Sequence, residues 1–177
     1  TNGSVDLYKF KVTANTGDID LYKFTFDITT TTVLVTNVEL VDITTDTEVS
    51  LYSVALAQAG NIGFVETTLN SDDPGSSGGF AKTVSMSVPR TYVLRGTISG
   101  ASSGDSVSTR MGGDSAAWAE NSALMGTAVI LDGDVNDDFI WSDRSVASHA
   151  TTTADWVNGY VVCGLNSASS TPTVVAL

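Results

Sequence analysis

The densest group of possible metal ligands lies in one acidic loop of the C-terminal third. Asp132, Asp134, Asn136 and Asp138 alternate along the chain, and Asp143 follows where a closing ligand would stand. Oxygen ligands at alternate positions are what a hard cation such as Ca²⁺ requires. The spacing therefore predicts calcium as a cofactor, bound by these five side chains.

The same loop departs from the EF-hand pattern. Asp137 stands where an EF-hand has its invariant glycine, and the closing residue, Asp143, is not a glutamate. No helices are predicted on either side of the loop. Two readings stay open: a calcium site of another geometry, and an acidic loop that is simply solvated.

His149 is the single histidine of the chain, and Ser145, Ser148, Asp143 and Asp155 lie near it in sequence. A Ser-His-Asp triad is defined by geometry and not by proximity in sequence, and the chain has no nucleophile-elbow motif. One histidine without cysteine partners also gives no zinc site. We therefore predict no catalytic residue and no enzyme activity, and expect His149 to bond the backbone of its own loop.

Three tryptophans, Trp118, Trp141 and Trp156, all lie in the C-terminal third. Exposed aromatic rings can stack on sugars, so these residues are candidates for a glycan-binding surface. Buried aromatic rings instead anchor cores and interfaces. Both interpretations stay open.

Lys9 and Lys23 are candidates for a covalent bond, because a buried lysine beside an acid can form an amide with a side-chain carboxamide. Each lysine follows a tyrosine and precedes a phenylalanine. Strand alternation places both on the face opposite the aromatic rings. We predict that this face is solvated, and so expect no such bond.

The elements that must position these residues begin with a repeated phrase. Residues 6–10 and 20–24 both read Asp-Leu-Tyr-Lys-Phe, and a turn-forming cluster separates them at residues 14–18. Alternation with a period of two indicates strands with one buried face. The repeat therefore predicts two aromatic strands, either paired or packed face to face.

The alternation also assigns the faces of the repeat. In the first copy Tyr8 and Phe10 share a side, and Leu7 falls on the other with Lys9. In the second copy Tyr22 shares a side with the aromatic and apolar positions that follow it. The core of the fold is predicted on the side of these rings.

Later segments combine β-branched residues with alternation or a short apolar run, and turn-forming residues separate them. These strand candidates lie at 31–42, 48–56, 63–69, 83–88, 92–98, 106–111, 128–131, 139–141, 155–165 and 173–177. We predict an all-β fold, an immunoglobulin-like β-sandwich. It forms a single domain over 1–177, with a core over about 1–111 and a C-terminal β-rich, loop-rich extension over about 112–177.

Composition limits the partners. The net charge is −12 with only 8 basic residues, which argues against binding to nucleic acid or to an anionic membrane surface. No apolar run is long enough for a membrane span, so no membrane insertion is expected within this chain. Cys163 has no second cysteine to pair with, and its apolar neighbours predict a buried thiol. Because the chain begins at Thr1, we expect a processed product or an excised piece.

Several phrases of the chain form a distinctive set, at residues 7–10, 17–24, 91–100, 104–109, 138–143 and 155–160, together with Ala14 and His149. As a set they resemble the β-rich surface regions of large secreted proteins from uncultivated, small-genome bacteria of the candidate phyla. The resemblance implies an extracellular or cell-surface structural module, as in surface layers, adhesins or filaments. It assigns no functional residues.

Strands predicted at both termini suggest how such a module would assemble. The first strand, 4–12, and the apolar tail, 171–177, can each pair with a neighbouring molecule through an exposed edge. We therefore expect a subunit of a surface layer or filament whose partner is another copy of the chain. The alternative is a carbohydrate-binding or adhesive module with glycans as partners.

Overall fold

The computed structural model of the protein describes seven stretches of the chain, which are 2–45, 47–49, 62–68, 82–114, 137–150, 152–165 and 171–177. Within them the chain forms strands and one 3-10 turn, Gly159–Val161. The strands are β1 (Gly3–Val12), β2 (Ile19–Thr31), β3 (Leu34–Asp42), β4 (Thr47–Val49), β5 (Ile62–Thr68), β6 (Lys82–Val84), β7 (Arg90–Ser99), β8 (Ser106–Met111), β9 (Phe139–Ser142), β10 (Trp156–Asn158) and β11 (Thr173–Ala176).

The strands build two antiparallel sheets. Sheet A has the order β1-β7-β3-β4, and sheet B is arranged around β2. The registers place β9 and β8 end to end along one edge of β2, and β6 and β5 along its other edge. β10 extends sheet B beyond β9, and β11 extends it beyond β8. The prediction of an all-β fold is confirmed, and its immunoglobulin-like topology stays a prediction.

The two copies of the repeated phrase do not pair with each other. β1 belongs to sheet A and β2 to sheet B, and their rings meet in the core between the sheets. The ring centroids of Phe10 and Phe24 are 5.0 Å apart in an edge-to-face arrangement, and those of Tyr8 and Phe26 are 6.0 Å apart. Such aromatic pairs add to the stabilisation that comes from burial alone. Of the two predicted arrangements, face-to-face packing is the one that forms.

A β-bulge corrects the predicted faces of β1. Its register with β7 shifts between Asp6 and Tyr8, so Leu7 turns inward and is fully buried. Gly96 on β7 makes room for it, because a Cβ there would lie 2.9 Å from both Leu7 Cδ1 and Val35 Cγ1. The prediction that Leu7 shares the exposed face with Lys9 is wrong, because a bulge reverses the alternation.

A second shift, between Leu21 and Lys23, corrects the faces of β2. Leu21 enters the main core, whereas Tyr22 packs on Ile140 and Trp156 in a separate small cluster. Lys23 is 4% exposed, so the prediction of a solvated lysine is wrong at this position. The alternation alone could not show this, because the bulge lies inside an unbroken run of strand residues.

Most strand predictions agree with the structure, with two exceptions in the described stretches. The candidate at 155–165 is a strand only over Trp156–Asn158, because a 3-10 helix and a turn follow it. The alternation over 83–88 predicts a strand, but β6 ends at Val84 and the chain turns at Ser87, whose φ is 65°. Met86 and Val88 are consequently exposed. The candidate at 128–131 lies outside the described residues.

Residues beyond 111 contribute to the same sheet as β2. β9 pairs with the N-terminal half of β2, and the backbone N–H of Gly112 donates to Thr25 O at 2.8 Å where β8 ends and β9 takes over. No helix in the described stretches has the length and apolar character needed to cross a membrane. The strands after residue 111 thus bring the polar groups of the C-terminal third against β2.

Candidate functional site

His149 lies between two buried carboxylates, on the face of sheet B that turns away from the main core. Its Nδ1 is 2.7 Å from Asp155 Oδ2, and its Nε2 is 2.7 Å from Asp20 Oδ2. The side chains are 8% exposed for His149, 1% for Asp20 and 0% for Asp155. We call this cluster the His149 network.

Strand register brings the members of the network together. Asp20 on β2 lies opposite Ser142 on β9, and Ser142 lies opposite Trp156 on β10. Asp155 directly precedes Trp156. Three adjacent strands therefore carry these groups in a row, and the loop between β9 and β10 folds back so that His149 reaches both carboxylates.

Asp20 also receives hydrogen bonds from an arginine and a threonine. Arg144 Nη1 donates to Asp20 Oδ2 at 2.8 Å, and Thr83 Oγ1 donates to Asp20 Oδ1 at 2.6 Å. Arg144 adopts a left-handed backbone with a φ of 56°, and its N–H donates to Ser142 Oγ at 2.9 Å. The network thus ties β2, β6 and the loop after β9 to one carboxylate.

Asp155 is stabilised as an anion. Burial acts to raise the pKa of Asp155, but hydrogen bonds from Thr153, His149 and Ser142 outweigh it and hold this pKa below its ordinary value. The Ser142 Oγ donates to Asp155 Oδ2 at 3.0 Å, and the Thr153 hydroxyl donates to Oδ1. The carboxylate is held in its charged form by hydrogen bonds made inside the protein.

This arrangement is that of a buried ion network. Both ring nitrogens of His149 face carboxylate oxygens, and both can donate together only when the ring is protonated. The hydroxyl of Ser142 turns to Asp155. The expectation that His149 bonds the backbone is wrong, because the ring lies between two carboxylates from separate strands. The network joins the 143–155 loop to sheet B.

Trp156 is fully buried beside the network. Its ring centroid lies 5.1 Å from that of His149 and 6.0 Å from that of Tyr22, and its Nε1 donates to Ala150 O at 3.0 Å. A ring with no exposed surface has no face available for a sugar. Trp156 therefore anchors the loop between β9 and β10.

Trp141 is half-buried and lines a cleft of roughly 860 Å³. The cleft lies between the end of β1, the turn at 13–18, β9 and residues 161–165, and its lining includes Tyr8 and Asp143. Of the three predicted tryptophans, Trp141 is placed at a cavity, whereas Trp118 lies outside the described residues. The cleft combines aromatic and polar side chains, as ligand sites do.

The predicted calcium ligands are only partly described. Asp132, Asp134 and Asn136 lie outside the described residues. Asp138 is half-buried, and Asp143 is exposed, with its Oδ1 accepting the N–H of Ser145 at 3.0 Å. Calcium binding by this loop stays a prediction.

Asp114 is a buried carboxylate that the sequence analysis did not single out. It is 1% exposed and accepts three backbone N–H groups, from Asp138 at 2.9 Å, Phe139 at 3.4 Å and Gly159 at 2.5 Å. Burial raises its pKa despite these bonds, and the charge of Asp137 adds to the rise. Gly159 makes room for this carboxylate, because any Cβ at 159 would lie 2.8 Å from Asp114 Oδ2.

Lys23 on β2 and Asp137, which lies two residues before β9, form a buried ion pair. Lys23 Nζ lies 3.2 Å from Asp137 Oδ2, with side chains 5% and 12% exposed. The sequence analysis placed Lys23 in solvent, so this pair was missed.

Cys163, predicted to be buried, is exposed because residues 162–165 form a surface turn after the 3-10 helix.

No family model, curated protein or solved structure matches this chain. The features of the chain that bear on its function are the sheet edges, the cleft and the buried polar groups.

Proposed function

We propose that the protein is an extracellular structural protein, a subunit of a surface layer or filament that assembles through the edges of its sheets. One observation carries the proposal: the two terminal strands are both edge strands and lie on the same side of the molecule. Among the described strands β1 pairs only with β7, and β11 pairs only with β8. β1 also packs across β8 and β11.

The two edges differ in charge, which favours β11 as the adhesive one. β1 carries exposed Asp6, Lys9 and Lys11 and a bulge, which are devices that oppose uncontrolled strand pairing. β11 has no charged residue, and its Val174 is 62% exposed. An uncharged edge that no other described strand pairs with can accept a strand from a second copy.

The buried polar groups fit a structural role. The His149 network and the Lys23–Asp137 pair join strands and loops to β2. A subunit that bears load gains from loops that cannot detach from the sheet. The acidic, Ser- and Thr-rich composition and the resemblance to secreted surface regions support an extracellular location.

Electron microscopy and light scattering of the purified chain test the proposal. We expect filaments or sheets from the unchanged protein and their loss in Val174→Lys, which places a charge on the β11 edge. Val88→Lys is the matched control, because Val88 is 52% exposed but lies in a turn outside the strands. A protein that stays monomeric at all concentrations would overturn the proposal, as would assembly that survives Val174→Lys.

A second candidate function is carbohydrate binding in the cleft. The observation in its favour is Trp141, which lines the cleft together with Tyr8, Asp18 and Lys11. Glycan-array binding should be lost in Trp141→Ala and kept in Tyr160→Ala, an exposed aromatic residue that is not part of the lining. Absence of binding by the unchanged protein would exclude this candidate.

A further inference from the structure

We propose that Lys23 and Asp137 become covalently joined by an amide between Lys23 Nζ and Asp137 Cγ. The observation behind it is geometric. The ammonium nitrogen lies 3.2 Å from a carboxylate oxygen of Asp137, and both side chains are almost fully buried. The nitrogen that would form the bond is therefore already in contact with the carboxyl group whose carbon it would attack.

The backbone holds both partners in place. Lys23 lies in β2, where it is opposite Ile140 of β9 on one side and Thr68 of β5 on the other. Asp137 directly precedes Asp138, whose N–H donates to the buried carboxylate of Asp114 at 2.9 Å. Strand pairing thus fixes one partner, and the Asp114 hydrogen bond fixes the backbone beside the other. Little motion is left to separate them.

The reaction is a condensation with no change of oxidation state. A proton first passes from the ammonium to the carboxylate, which removes two charges that are costly to bury. The neutral amine then attacks Cγ, the C–N bond forms, and the second proton leaves nitrogen for the departing hydroxyl. The C–O bond breaks and one water molecule is released. No oxidant, metal or co-reactant is needed.

A second carboxyl, that of Asp114, lies close to Asp137. Burial raises the pKa of Asp114, and the charge of Asp137 raises it further. Asp114 is itself held in place by the backbone N–H groups of Asp138, Phe139 and Gly159, so the Asp137 end of the pair lies beside a fixed polar group.

The repeat supplies a matched control within the chain. Lys9 occupies the same place in the first Asp-Leu-Tyr-Lys-Phe phrase that Lys23 occupies in the second. Lys9 is exposed on β1, whereas Lys23 is buried on β2. The same local sequence therefore meets two environments, and the cross-link belongs to the buried copy alone.

Mass spectrometry of the intact, denatured chain tests the proposal. We expect a mass lower than that of the sequence by one water molecule, retained in Lys9→Arg and abolished in Lys23→Arg and Asp137→Ala. Tryptic digestion of the unchanged protein should leave the bond after Lys23 uncut and give one branched peptide that contains Lys23 and Asp137. Because this digest uses the unchanged protein, its result does not depend on whether the variants fold. The full sequence mass in the unchanged protein, or a deficit that persists in Lys23→Arg, would overturn the proposal.

Discussion

At the scale of single residues, several buried charges in the described stretches lie in pairs or small groups. The Asp20 carboxylate contacts the side chains of Arg144 and His149. The Asp155 carboxylate contacts the other side of the His149 ring, and Lys23 is paired with Asp137. Removing one member of such a group is costly because the other charge stays buried without a partner. Replacing His149 should have the largest effect, because its ring contacts two carboxylates.

Replacing His149 by alanine should destabilise the protein by about 1–3 kcal/mol, because each of two buried carboxylates loses one hydrogen bond. Asp20 keeps Arg144 and Thr83 as partners, and Asp155 keeps Ser142 and Thr153. Urea unfolding of the purified chain measures the loss. Lys11→Ala, at an exposed position of β1, is the control, with an expected change of about 0.5 kcal/mol or less. Adding Asp155→Asn to His149→Ala should recover part of the loss. Equal unfolding midpoints for His149→Ala and the control would contradict this account of the network.

Stability should fall in acid through Asp155. Its pKa is lowered in the folded protein, so its contribution is present above the unfolded value of about 3.9 and is lost as the pH falls through the folded value. Melting temperatures measured down from about pH 5 should drop less steeply in Asp155→Asn. Asp114→Asn provides the contrast, because the raised pKa of Asp114 gives a contribution that is lost as the pH rises. Identical acid profiles for Asp155→Asn and the unchanged chain would contradict the assignment.

At the scale of elements, alternation predicted where strands lie better than which way their side chains point. β8 begins and ends where the alternation over 106–111 places it. The faces of β1 and β2 were wrong at Leu7, Tyr22 and Lys23, because each strand contains a bulge. A bulge is set by the partner strand and the packing around it, and neither is visible in a local pattern.

The close approach of β7 to the bulge gives a prediction about Gly96. An alanine there places its Cβ 2.9 Å from both Leu7 Cδ1 and Val35 Cγ1, so Gly96→Ala should destabilise the protein by about 1–3 kcal/mol through overpacking. Gly17→Ala is the matched control, since no atom lies within 4 Å of its added Cβ. Thermal unfolding compares the two, and a shortened partner in Leu7→Val should relieve part of the strain. A Gly96→Ala protein as stable as the Gly17→Ala protein would show that β7 can move away from the bulge.

At the scale of the whole molecule, the sequence was least informative about groups that meet from distant segments. Asp155 was noticed beside His149, but Asp20 reaches the same ring from the other end of the chain. Asp114 was missed for the same reason, because its partners lie at 138–139 and 159. Composition and local spacing carry no information about such meetings, since the topology of sheet B creates them.

The acidic loop gives a prediction for the whole protein. If Asp132, Asp134, Asn136, Asp138 and Asp143 bind calcium, a chelator should lower the melting temperature, because a ligand that binds only the folded state stabilises it. Calcium should restore the melting temperature, and magnesium should not, because it tolerates fewer ligand geometries. Asp134→Asn should abolish the response, whereas Asp105→Asn, at a half-buried acid of another loop, should keep it. A melting temperature indifferent to the chelator would favour the solvated loop.

The central position of β2 in sheet B affects how the protein folds as it is synthesised. β2 is completed by β8 and β9, which follow it far along the sequence, so the ribosome must reach residue 142 before that edge can close. Until then that edge of β2 lacks its β9 partner, although β5, β6 and β8 are already synthesised. Topologies with such distant pairings fold slowly. Most of the chain must therefore be synthesised before sheet B can be completed around β2.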